Sequence, residues 1–157
     1  MKMNCMKKMF FAFAAMLCLV SCGTSEKQVD AFVGEYTYES TGSADIYLAG
    51  TKVTTIPLDT DGEMRIVRAG AENRVALVAY NDSIFALVNG NELILETTSL
   101  DMQYSEFKVN LVFTGNKAKM QADSTIVWKS DVIATATYGS YSANGNGNIE
   151  LVATKKK

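Results

Sequence analysis

Phe107, Val109, Leu111 and Phe113 alternate with Glu106, Lys108, Asn110 and Thr114. A repeat of two sends one set of side chains to a core and the other to water, the pattern of a half-buried antiparallel strand. Phe32, Tyr36 and Tyr38 stand in the same way opposite Val33, Glu35, Thr37 and Glu39, and Ala118, Met120 and Ala122 opposite Lys117, Lys119 and Gln121. Turn chemistry separates such runs at Ser40-Thr41-Gly42, Ala49-Gly50, Asp61-Gly62, Asn81-Asp82, Asn89-Gly90, Gly115-Asn116, Asp123-Ser124 and Asn144 to Asn148. Pro57 is the only proline, and no dozen-residue window sustains a 3.6-residue period. The pattern predicts an all-β chain of about ten strands joined by hairpins. Closure removes exposed edges, so an antiparallel meander curling into a barrel of about 8–10 strands is expected, with a two-layer β-sandwich as the alternative. Val75 to Ala79 and Ile84 to Val88 are apolar on both faces. They call for an outer cover, a second copy, or a place inside a sandwich.

The chain opens differently. Lys2, Lys7 and Lys8 precede an unbroken apolar run, Met9 to Val20, which ends at Ser21 and Cys22. A charged start, a short apolar stretch and a small-residue exit form a signal peptide, and twelve apolar residues are too few to span a bilayer. Leu19-Val20-Ser21-Cys22 resembles the lipobox of bacterial lipoproteins, a resemblance that implies cleavage after Ser21 and lipidation of Cys22. Cys5 and Cys18 would leave with the leader, so the mature chain would contain no disulfide. Two or three acyl chains hold a protein to a membrane essentially permanently. The expected organisation is a signal peptide over residues 1–21, a lipid-anchored polar tether over 22–30 and a barrel domain over 31–157. Gly23, in place of an aspartate that retains many lipoproteins at the inner membrane, points to the outer membrane of the cell envelope.

Removing Lys2, Lys7 and Lys8 leaves 12 basic against 17 acidic residues, a net charge of −5, which disfavours a nucleic-acid partner. Phe32-Val33-Gly34-Glu35-Tyr36-Thr37-Tyr38 resembles the opening strand of lipocalin-like and other calycin-type barrels, where a glycine, any residue and an aromatic follow one another; Gly34 and Tyr36 are the matching positions. Gly147 to Thr154 is similar to the closing strand of lipid-anchored bacterial members. The late arginine that packs over the aromatic in that family is replaced, at the nearest position, by Lys155. The resemblance implies a calycin-like barrel.

Candidate chemistry is sparse. There is no histidine, so the commonest general base near neutral pH is missing, and the one mature cysteine would be acylated. Ser140 and Ser142 lack the spacing of a nucleophile elbow. Asp59-Thr60-Asp61-Gly62-Glu63 resembles part of a Ca²⁺ loop, but the twelfth position is Gly70 rather than a bidentate glutamate, so a solvated turn is expected and no metal or cofactor. Glu35, Glu39 and Asp45 are the carboxylates that would offer paired-carboxylate chemistry if two of them faced each other. No enzymatic activity is expected. Tyr36, Tyr38 and Trp128 are the expected lining of a site for a small apolar or amphiphilic ligand, because amphipathic aromatics suit the mouth of a barrel and Val132 to Tyr138 is built of small residues. The alternative is an interaction or scaffold protein that meets an envelope protein or its own copy through the strands around Leu77 and Phe85. Lys155 to Lys157 read as a solvated tail. Asp82-Ser83-Ile84 and Asp123-Ser124-Thr125 resemble bacterial O-glycosylation sequons at Ser83 and Ser124.

Overall fold

The computed structural model describes residues 26–70, 72–80 and 82–157. The leader, the lipobox and Cys22 lie outside the described residues. A helix, α1, covers residues 26–32, and eleven strands follow: β1 (Gly34–Leu48), β2 (Thr51–Pro57), β3 (Thr60–Arg68), β4 (Arg74–Ala79), β5 (Asp82–Asn89), β6 (Glu92–Leu95), β7 (Ser99–Tyr104), β8 (Phe107–Phe113), β9 (Lys117–Met120), β10 (Thr125–Tyr138) and β11 (Tyr141–Lys155).

Eight of these strands close a ring in chain order, β1-β3-β4-β5-β6-β9-β10-β11, with β11 returning to β1 and every pairing antiparallel. The expected up-and-down barrel is thus the fold, calycin-like in outline, with two excursions from the ring. β2 pairs with the far half of β1, and the β7–β8 hairpin pairs with the far half of β10. β1, β10 and β11, at 15, 14 and 15 residues, are long enough to serve both halves.

The period-two pattern explains why one face of these long strands serves two cores. Tyr38, Ala153 and Ile126 lie side by side in one row, and Ala44, Gly147 and Val132 in a row further along the same face. The first row belongs to the barrel core, with Ile66, Val75, Ala86, Leu93 and Ala118. The second belongs to a separate core, with Ile46, Ile56, Val109, Leu111, Ala134 and Ala136. The small residues expected to leave room inside β10 are therefore packed against β1 and β8.

Three predicted turns lie inside strands: Ser40-Thr41-Gly42 in β1, Asp61-Gly62 in β3 and Asn144 to Asn148 in β11. Their glycines permit close approach of backbones instead. Gly42 has φ 153°, and a Cβ there would overlap the Asn148 carbonyl oxygen and stand 2.8 Å from Ile149 Cα. The packed domain also begins before residue 31. Val29 and Phe32, three residues apart on one face of α1, are both 1% exposed and close one end of the barrel. Phe32 is thus a helical residue rather than part of the opening strand.

Candidate functional site

Tyr36 points from β1 into the barrel beneath α1, fully buried. Its hydroxyl donates to the Phe32 carbonyl at 2.7 Å, satisfying one of the carbonyls a helix end leaves open. Burial pushes the phenol up to about 12. Lys155, at the register position opposite Tyr36, donates from Nζ to the Ala31 carbonyl at 3.0 Å and stands 5.9 Å from the centre of the Tyr36 ring. It takes the packing place that the calycin resemblance assigns to an arginine. Tyr38, two residues on and half-buried, lies against Gly62, where a Cβ would stand 3.0 Å from its hydroxyl.

Trp128 faces the interior from β10 at the junction of the two cores. Its indole Nε1 donates to the Gly115 carbonyl at 2.9 Å, and its ring meets Phe113 edge-on at 5.1 Å and 67°. One residue pair further along, Ser130 Oγ accepts the Gly115 N–H at 2.9 Å. Tyr36, Tyr38 and Trp128 thus share one inner face, but their polar tips do not converge: Tyr36 ties the helix to the barrel, and Trp128 ties the β8–β9 turn to it. Trp128→Phe is expected to cost about 1–2 kcal/mol through one lost hydrogen bond and lost packing, read from the urea midpoint. An unchanged midpoint would remove the structural role argued for the indole.

On the outer face of the same junction lies an open hollow of about 540 Å³ bordered by Thr41, Thr114, Lys129, Asp131, Asn148 and Glu150. Lys129 and Glu150 pair across it at 3.0 Å. These residues alternate with the core-facing ones on the long strands, so the hollow is separate from the barrel interior. Sequence reasoning missed it, because it depends on β1, β10 and β11 lying side by side around Gly42, Ser130 and Ile149, and that pairing is not local in the chain. The acidic turn has a structural use: Asp59 Oδ1 accepts the Gly42 N–H at 2.9 Å. Among the described residues, no group of three or more carboxylates, cysteines or histidines is gathered for a metal.

The two-sided apolar strands divide cleanly. Leu77 pairs with Ile66 and Ile84 on the inner face, whereas Val67, Ala76 and Phe85 form an outer row. The Arg74 guanidinium lies 4.0 Å over the Phe85 ring, held by two hydrogen bonds to Glu96 of 2.8 and 2.7 Å. Those bonds keep the Glu96 carboxyl below its ordinary range. Part of the cover expected outside β4 and β5 is therefore this ion pair. Ser83 and Ser124 are both exposed; the Asp123 carboxylate caps the turn at Ser124 by accepting from Thr125 N and Oγ1 at 3.0 and 2.7 Å.

Fold and site together define a closed antiparallel barrel with a second, partly closed layer. No protein-family model matches the chain, and no curated protein matches it. Among solved structures it is similar to the monomer form of the M. tuberculosis PknI sensor domain, at 12% identity and a TM-score of 0.43, over 79% of this chain and 86% of that one. It is also similar to the ywiB protein from Bacillus subtilis, at 12% identity and a TM-score of 0.28, over 83% of this chain and 99% of that one. At those scores neither likeness adds to the account of this chain.

Proposed function

We propose that the chain is a lipid-anchored, non-enzymatic recognition module of the bacterial cell envelope that meets a protein partner on its outer surface. The observation that carries this reading is the occupancy of the barrel: Val29, Phe32, Tyr36, Ile66, Val75, Leu93 and Ile126 point into it and are each at most 2% exposed. The lipobox at Leu19 to Cys22 supports the anchor. The absence of histidine from the sequence supports the lack of hydrolytic or redox chemistry.

A small apolar ligand held by Tyr36, Tyr38 and Trp128 is the competing reading, favoured by the shared aromatic face of those residues. The burial of Tyr36 and the commitment of Tyr36 and Trp128 to the Phe32 and Gly115 carbonyls weigh against it. Native mass spectrometry of the chain purified from its own envelope separates the two. The expected species begins at an acylated Cys22 and has no small molecule bound, and Cys22→Ser should move it from the detergent phase to the aqueous phase. A stoichiometric bound metabolite that is lost in Tyr38→Ala would overturn the surface reading.

A further inference from the structure

The second layer is a sheet in the order β2-β1-β11-β10-β8-β7, and it stops short of closing. Among the described residues β2 has β1 as its single partner and β7 has β8. The two edges face each other, bridged by the Tyr104 hydroxyl donating to the Thr55 carbonyl at 3.4 Å. An unpaired edge is a template for another strand unless something blunts it.

The two edges are defended unequally. On β2, Leu58 N–H donates to the Gly42 carbonyl, which sets the alternation so that Thr55 and Pro57 turn their backbone groups to the seam. Pro57 has no N–H, the Thr55 carbonyl takes the Tyr104 hydroxyl, and the strand carries a bulge opposite Ile46 and Tyr47 with Lys52 beside it. β7, Ser99-Leu100-Asp101-Met102-Gln103-Tyr104, has no proline, lysine or bulge. Its hairpin closes through Tyr104 and Phe107, and Phe113 N–H donates to the Thr98 carbonyl at 2.8 Å. The backbone groups of Leu100, Met102 and Tyr104 therefore face β8, and those of Ser99, Asp101 and Gln103 face outward. Leu100 stands opposite fully buried Leu111 on the inner face and is nevertheless 50% exposed, since among the described residues no strand pairs with the outward edge of β7.

We propose that this edge of β7 is a strand-addition site for an extended segment of another protein with the pattern apolar–Lys/Arg–apolar. Apolar side chains opposite Leu100 and Met102 would cover the open flank of the second core. A cation would meet Asp101, which accepts from Asn110 Nδ2 at 2.8 Å and has no cationic partner among the described residues. A second copy fits less well, because antiparallel self-pairing that keeps Ser99, Asp101 and Gln103 at the seam sets Asp101, at greatest overlap, opposite either Asp101, where like charges destabilise a sheet, or Gln103, and in neither register does it meet a cation. The site names the partner class for the surface recognition proposed above and rests on that reading.

The test uses the full chain in detergent and the capped hexapeptide Thr-Val-Lys-Val-Thr-Thr. Amide exchange at Ser99, Asp101 and Gln103 is expected to slow tenfold or more on saturation, with Met102 and Tyr104 unchanged. A Val-Glu-Val version should bind at least threefold more weakly, and Asp101→Lys, at an exposed position, should reverse that order. Equal protection by a peptide N-methylated on alternate residues, or no protection at saturation, overturns the proposal. Protection of the three amides without peptide, together with a dimer, assigns the edge to a second copy and overturns it too. Failure at β7 with a protein partner cross-linked at Phe85 leaves the surface reading standing, whereas a bound metabolite in native mass spectra removes that reading whatever β7 does.

Discussion

Tyr36→Ala is expected to lose about 3–5 kcal/mol of stability, the range for truncating a large buried aromatic, which is a large part of the roughly 5–15 kcal/mol that holds a domain folded. The ring fills the space between α1 and the closing strand, under Lys155, so its removal unseats Phe32 as well. Tyr36→Phe keeps the ring and leaves the Phe32 carbonyl without its donor, at about 1–2 kcal/mol. The two variants part company at alkaline pH. Burial raises the phenol from 10.0 to about 12, so the folded state holds the proton more tightly than the unfolded state does. The stability tied to that proton is intact below pH 10 and is lost as pH rises towards 12, amounting to roughly 3 kcal/mol over the two units. Urea unfolding of the parent chain should weaken over that window more steeply than that of Tyr36→Phe. Parallel curves from pH 9 to 12 would contradict the buried phenol.

The barrel was legible because each half-buried strand repeats every two residues and because turn chemistry marked hairpins at Ala49-Gly50, between β1 and β2, and at Asn89-Gly90, where the turn between β5 and β6 falls one residue on at Gly90-Asn91. Glycines inside strands were not legible. Gly42 and Gly147 serve close backbone approach, and in sequence such a glycine cannot be told from one that serves a turn. α1 escaped for want of length: seven residues with Val29 and Phe32 as their apolar contacts show no measurable period. The outer face of β4 and β5 read as uncovered because Arg74 and Glu96 are 22 residues apart and only the sheet brings them over Phe85. In the candidate site, the sequence marked Gly34 and Tyr36 as a glycine and an aromatic of an opening strand and offered Lys155 only as the nearest substitute for a missing arginine; that Tyr36 and Lys155 meet beneath α1 is a finding of the structure. The open edge of β7 was not legible either, since an edge is a property of which strands pair, and that information is not local.

Gly147→Ala is the substitution that should separate the two layers. Gly147 sits between Ala44 and Val132, both at most 1% exposed, and a Cβ there would overlap the Ser43 carbonyl oxygen and stand 2.7 Å from Ala44 Cα. Those are backbone atoms of β1, so no side-chain rotation relieves the contact and the strand itself must shift. Overpacking of this kind costs about 3 kcal/mol at the upper end of its usual range. The strain falls where β1 and β11 carry the second core, so amides of β2, β7 and β8 should lose exchange protection while those of β3 to β6 keep theirs, as local opening requires. Gly50→Ala is the control: φ is 81° and nothing lies within 4 Å of the added Cβ, so only the backbone preference is lost, about 1–2 kcal/mol, with no selective opening. Equal loss of protection across both layers in Gly147→Ala would mean that the second core does not open independently of the barrel.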